Sequence, residues 1–120
     1  MRVADYIAQF LVENGVEDIF LLTGFGAMYL NDGIASQPSI KYYTARNEAA
    51  SPMMAEAYAR LTGSLGAVCL TSGPGATNAL PGLAEAYVDG APIIILSGQS
   101  PVNQTSRVIN SFCNRSLRSF

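Results

Sequence analysis

Apolar positions along the chain switch between a helical and a strand rhythm. Residues 3–14 place Val3, Tyr6, Ile7, Phe10 and Leu11 on one helical face, and Gly15 marks the stop. Ile19-Phe20-Leu21-Leu22 is a short apolar run closed by Thr23-Gly24, the pattern of a buried strand. Met28 to Ala35 predicts a brief helix ended by the loop at Gln37-Pro38, and Ile40 to Thr44 is rich in strand formers. The clearest helix spans about 49–62, with Ala50, Met53, Met54, Ala57, Tyr58 and Leu61 at three- and four-residue spacing and Gly63 as its stop. Pro52 is compatible because the first turn has no partner for the N–H it lacks. Ala67 to Thr71 predicts a third strand. A helix over 75–88 follows, with Ala79, Leu80, Leu83 and Tyr87 facing in, and Pro92 to Ser97 is the fourth strand.

Strands beginning near 17, 39, 66 and 92, with helices between most successive pairs, imply right-handed βαβ crossovers. The fold expected is α/β, a parallel sheet with helices on both faces. The strand runs are continuous rather than alternating, as expected where both faces are covered. The chain shows no short-period repeat and no low-complexity linker to a second domain.

Composition adds one expectation and removes several functions. With 120 residues the chain suffices for one domain with a real core. Its charged residues are only 13% against 49% apolar, where about 25% charged is usual, so part of the surface is expected to be covered by another domain or subunit. Seven basic and nine acidic residues give a net charge of −2, which does not point to nucleic acid. The acids all lie in the first 89 residues; Arg107, Arg115 and Arg118 make 105–120 a basic polar tail, read as a loop or as a contact for an anion or acidic neighbour. Histidine is absent, which excludes a Ser-His-Asp triad, a His metal site and a His general base. Cys69 and Cys113 form no CxxC pair, so no metal site is expected. Asp5 interrupts the apolar stretch a signal peptide needs, and runs such as Ile93-Ile94-Ile95-Leu96 are too short to span a bilayer. A cytoplasmic location without membrane attachment is expected.

Ligands of parallel sheets bind at the carboxyl ends of the strands. The loops there are Thr23-Gly24-Phe25-Gly26, Ala45-Arg46-Asn47-Glu48, Thr71-Ser72-Gly73-Pro74-Gly75 and Ser97-Gly98-Gln99. Two are glycine-rich and lead into helices, so they serve either as tight turns or as backbone that comes close to a ligand. Neither is a P-loop or a dinucleotide fingerprint: no Gly-Lys-Ser/Thr follows Gly75, and Tyr29 stands where the third glycine belongs. Glu48 opens a helix at a strand's carboxyl end. It is either a surface acid favoured by the helix dipole or a desolvated carboxyl that shares a proton with a ligand nitrogen. Asp32 and Asp89 read as turn residues, Cys69 as a strand-core thiol, and Met53 and Met54 as helix core.

Together these strings resemble a known family. Asn47-Glu48-Ala49-Ala50, running on to Ala55-Glu56-Ala57-Tyr58-Ala59-Arg60-Leu61-Thr62-Gly63, is similar to the helix opened by the cofactor glutamate of thiamine-diphosphate enzymes. Thr71 to Asn78 resembles the matching turn of the acetolactate synthase group, and Asp89 to Gln99 its next strand and loop. The resemblance covers about residues 1–104 and implies an N-terminal pyrimidine-binding domain of flavodoxin-like, three-layer form with its C-terminal strands missing. It implies that Glu48 hydrogen-bonds the aminopyrimidine and promotes the imino tautomer that takes the thiazolium proton. Thr23, Gly24, Thr71, Pro74, Asn78 and Gln99 match positions that line thiamine diphosphate in similar enzymes.

The same resemblance implies what lies elsewhere. The family binds Mg²⁺ and the diphosphate on a separate domain through a Gly-Asp-Gly motif, absent from this sequence. Expected partners are that domain in the same or a neighbouring subunit, within a homodimer or homotetramer, and FAD is not indicated by any residue. The function implied is part of an enzyme that decarboxylates a 2-oxo acid and ligates or transfers the product unit, the fragment being inactive alone. Asn47 and Ala49 stand where the family commonly has histidine and glutamine. The Thr23–Asp32 string more closely resembles synthase-like proteins of surface-sugar biosynthesis, which leaves the substrate open between pyruvate and another 2-oxo acid. The residues themselves also admit a small phosphate- or nucleotide-binding module of flavodoxin-like form, or a non-catalytic remnant.

Overall fold

The computed structural model describes residues 1–99. Four strands, β1 (Asp18–Leu21), β2 (Lys41–Thr44), β3 (Gly66–Leu70) and β4 (Ile93–Ser97), form one sheet in the order β2-β1-β3-β4. Every pairing is parallel, with Phe20 opposite both Tyr43 and Val68, and Val68 opposite Ile95. The helices are α1 (Val3–Glu13), α2 (Met28–Ala35), α3 (Ala50–Thr62), α4 (Pro74–Asn78) and α5 (Leu80–Val88). A short 3₁₀ turn, Phe25–Ala27, leads into α2.

Alternation along the strands splits the core in two. Ile19, Leu21, Ala67 and Cys69 face Ala8 and Leu11 of α1 and Ile34 of α2, whereas Phe20, Val68 and Leu70 face Ala55 of α3 and Ala79. The fold is therefore the three-layer α/β arrangement expected, with helices on both faces. Β3 is buried along its whole length, but β2 is exposed throughout, so the expectation of strands covered on both faces fails at that edge. Tyr43 of β2 stacks on Phe20 with ring centroids 5.6 Å apart, and the neighbouring Asp18 carboxylate raises its hydroxyl pKa.

Several elements match their sequence signals. Met28–Ala35 has the expected bounds, Pro52 lies in the first turn of α3, and Gly15 and Gly63 take the left-handed conformation after their helices. The helix expected over 75–88 is two helices, because Pro81 has no N–H to continue the ladder and α5 restarts with it near the N-terminus. Asp32 is not in a turn but inside α2, where its carboxylate accepts from Arg2 Nη1 at 2.6 Å. Gly33 is what fits that helix against α1: a Cβ there would lie 2.8 Å from the Ala4 carbonyl oxygen.

The inward faces of three helices differ from those expected. Helix α1 buries Ala4, Ala8 and Leu11 while Val3, Tyr6 and Phe10 are exposed. Helix α3 buries Ser51, Pro52, Ala55, Glu56 and Ala59, leaving Leu61 87% exposed and Met53 and Ala57 outside; Met54 and Tyr58 still pack on the core. Helix α5 buries Gly82 and Ala86, with Leu80, Leu83 and Tyr87 exposed, Tyr87 at 85%. The physical reason is close approach. A Cβ at Gly66 would collide with the Ala55 carbonyl oxygen and one at Gly82 with Pro52, so small residues occupy the contacts and large ones point out. Glu56 is buried beside Arg60, which donates to it at 3.0 Å and also to Asp89, a residue read from sequence only as a turn. The basic tail lies outside the described residues. No helix among those described is long and apolar enough to cross a membrane.

Candidate functional site

The four loops at the carboxyl ends of the strands meet around Thr71. Its Oγ1 accepts from the Gly26 N–H at 3.1 Å, tying the loop after β1 to the loop after β3. Glycines enclose the same side chain. A Cβ on Gly24 would stand 2.6 Å from Thr71 Cβ, one on Gly75 would stand 2.6 Å from Thr71 Cγ2, and one on Gly26 would stand 3.0 Å from Oγ1. No side chain fits at such separations, so these glycines serve close packing of main chain. Gly73, by contrast, is required for its backbone, with φ at +66° just before Pro74 starts α4.

The fourth loop closes the set. The Gly98 N–H donates to the Leu70 carbonyl at 2.8 Å, and Ser97 Oγ donates to the Thr71 carbonyl at 3.2 Å. Gly98 also lies so close to the Gly26 carbonyl that a Cβ could not be accommodated. Gln99 follows directly and is exposed.

Glu48 enters from the β2–α3 loop, half-buried in the turn before the helix. Its Oε2 accepts from Asn78 Nδ2 at 3.1 Å, and a Cβ on Gly75 would lie 3.5 Å from Oε1. Asn47 accepts the Ala49 N–H on its Oδ1 at 2.7 Å, an Asx turn that sets the main chain around Glu48. The structure thus brings Glu48, Thr71 and Asn78 together, with Gly24 and the Pro74 turn against the same threonine. Thr23 lines a depression of about 560 Å³ that it shares with Gly24, Phe25, Met28 and Asn31.

Gly26, Gly75, Ser97 and Gly98 were not singled out as site residues. The glycines stand in the Thr23–Gly26 and Thr71–Gly75 strings, but spacing alone does not say which glycine packs and which bends. Phe25 and Met28 carried no chemical signal. Cys69, below the site, is fully buried; its thiol faces Asn31 Oδ1 at 3.4 Å, and burial pushes its pKa up to about 11. Among the described residues no group of three His, Cys, Asp or Glu side chains could hold a metal ion.

The carboxylate is thus held by a carboxamide, beside glycine main chain packed on Thr71. Residues 1–115 match the family model described as thiamine pyrophosphate enzyme, N-terminal TPP binding domain. The chain belongs to this family. It is 43% identical over 96 residues to the acetolactate synthase large subunit of Haemophilus influenzae, covering 80% of this chain and 17% of that protein. Against the acetolactate synthase large subunit of Lactococcus lactis subsp. lactis it is 43% identical over 93 residues, 78% of this chain and 16% of the relative. Against the chloroplastic acetolactate synthase of Arabidopsis thaliana it is 38% identical over 98 residues, 82% and 15% respectively. The chain thus spans about a sixth of the length of these relatives. It is an N-terminal TPP-binding domain of the acetolactate synthase-like kind.

Proposed function

We propose that this TPP-binding domain supplies the aminopyrimidine side of a thiamine-diphosphate site, with Glu48 as the proton-exchanging group. The observation that carries the reading is the Glu48 carboxylate, held at Oε2 by Asn78 where the four carboxyl-end loops converge. What supports a fit to the cofactor is that Gly24, Gly26 and Gly75 let the carboxyl-end loops pack closely on Thr71, and that Gly75 offers no side-chain donor beside Oε1. In this reading Thr23, Gly24, Thr71, Pro74 and Gln99 line or brace the ring's place.

In this reading Glu48 binds a ring nitrogen through Oε1 and moves a proton to and from it, the work of a positioned general acid–base. Thr71 keeps the two glycine loops at fixed separation. When bound, thiamine diphosphate supplies a nucleophilic carbon that adds to a 2-oxo acid and accepts the electrons of the departing carboxylate. Mg²⁺ and the diphosphate are held by another domain of the same or a neighbouring subunit, in a homodimer or homotetramer. The reaction of that assembly is decarboxylation followed by ligation or transfer. The exposed apolar faces of α1, α3 and α5 support a covered surface of this kind.

Glu48→Gln, made in the assembled enzyme, tests the proposal. Loss of proton exchange by a positioned carboxyl lowers carboligation by about 10²–10⁴-fold. Carboligation at the wild-type rate would remove Glu48 from the role.

A further inference from the structure

We infer that Asn78 is a positioning residue that commits one oxygen of Glu48, Oε1, to the ring nitrogen of the ligand; the inference rests on the proton-exchanging role given to Glu48 above. An ionised carboxylate only accepts, so the Asn78 carboxamide meets Oε2 with its Nδ2–H, at 3.1 Å. That bond occupies Oε2. At Oε1 the neighbouring residue is Gly75, where even a methyl group would come within 3.5 Å. The two oxygens are therefore unlike: Oε2 is held by the Asn78 carboxamide, whereas Oε1 lies beside Gly75, which has no side-chain donor to offer it.

Both ends of the pairing are anchored. On the Glu48 side the Asx turn of Asn47 onto Ala49 at 2.7 Å, and the Ala50 N–H on the Asn47 carbonyl at 3.1 Å, fix the main chain. On the other side Asn78 is the last residue of α4, whose start is set by Pro74 and whose turn is tied by Thr77 Oγ1 donating to the Pro74 carbonyl at 3.1 Å.

The chemistry follows from this asymmetry. When Glu48 gives its proton to the ring nitrogen, the Oε1–H bond breaks and an N–H bond forms. The charge left on the carboxylate spreads to Oε2, where the Asn78 N–H becomes a charge-assisted donor and strengthens. On the return step the proton comes back to Oε1 and that bond relaxes. Asn78 thus favours transfer through Glu48.

The test uses the full chain and 4-amino-5-hydroxymethyl-2-methylpyrimidine labelled with ¹⁵N in its ring, at millimolar concentration, followed by NMR. In the wild type the ring ¹⁵N signal moves on binding. Asn78→Ala weakens binding about tenfold, the scale of one lost hydrogen bond to a charged group, and returns the signal toward its free position. Asn78→Asp sets two carboxylates face to face. The signal change is lost at neutral pH and regained, relative to wild type at the same pH, once acidification lets one proton bridge the pair. A residue that merely holds the fold would give a loss independent of pH. If Glu48→Gln removes the signal change while both Asn78 variants match wild type at every pH, the role of Asn78 is overturned and that of Glu48 stands. If Glu48→Gln itself leaves binding and signal unchanged, the role of Glu48 falls first.

Discussion

At the carboxyl ends of β1, β3 and β4 the chain brings main chain against main chain, and glycine carries the arrangement by what it lacks. Along the outer helices the position is reversed: Val3, Leu61, Tyr87 and Val88 stand well over half exposed, with small residues beneath them. Both regions depend on close approach. At the loops it brings Gly24, Gly26 and Gly75 onto Thr71 and Gly98 against Gly26, with the Glu48 carboxylate held beside them by Asn78. On the helices it moves the large apolar side chains outward, onto a surface that suits coverage by further protein rather than water. The site end is finished by polar bonds within the chain, whereas the helix faces leave large apolar side chains exposed.

The comparison breaks first if the close approaches are not real. Gly66→Val places a branched side chain against the Ala55 carbonyl in the fully buried β3, and a loss of about 3 kcal/mol or more is expected in denaturant unfolding. A stable Gly66→Val chain would contradict the packing of α3 on the sheet. Alkaline unfolding follows. The buried Cys69 thiol keeps its proton to about 11 in the folded chain against 9.0 ordinarily, so its contribution is complete below pH 9 and lost as pH climbs toward 11. Stability should fall across that window by up to about 1.4 kcal/mol per pH unit from this thiol. Cys69→Ala should flatten the decline without abolishing it, because Tyr58 and Tyr43 are also raised, the first by burial and Asp18, the second by Asp18.

Smaller effects sharpen the contrast. Thr71→Val keeps the shape among the glycines but removes the acceptor of the Gly26 N–H, and a loss of about 1 kcal/mol is expected. Thr71→Ser should retain that bond and reveal the part owed to Cγ2. Leu61→Ser should change the stability of the chain by no more than about 0.5 kcal/mol, since the side chain is 87% exposed. The same change should weaken assembly with partner domains, read by the sedimentation coefficient in analytical ultracentrifugation of the full-length enzyme. Equal assembly in wild type and variant would show that the α3 face is not covered there.

The two regions also differ in how legible they were. Strand–helix order, the parallel sheet, the bounds of α2 and the glycine stops could all be read, because hydrophobic runs and turn residues act locally. The inward faces of α1, α3 and α5 could not. Periodicity ranks Phe10 or Leu61 above Ala8 or Ala59, yet the backbone separations that exclude large side chains are set by Gly33, Gly66 and Gly82 across the fold. The break at Ala79 depended on weighing Pro81 against a continuous apolar pattern. At the site, Glu48 and the Thr71–Asn78 string were visible as motifs. The bond from Asn78 to Glu48 spans thirty positions and becomes visible only when β2 and β3 are in register with β1. Glu56, buried beside Arg60, gave no signal because a lone acid in a helix usually faces water.

The central claim is that the carboxyl-end loops form one pyrimidine-binding surface. Amide NMR shift mapping of the full chain with unlabelled 4-amino-5-hydroxymethyl-2-methylpyrimidine tests it most directly. Changes clustered at residues 23–26, 47–50, 71–78 and 97–99, and lost in Glu48→Gln, are the result predicted. Changes centred instead on the depression lined by Met53, Arg60 and Glu85 between α3 and α5, or persisting unchanged in Glu48→Gln, would contradict the account.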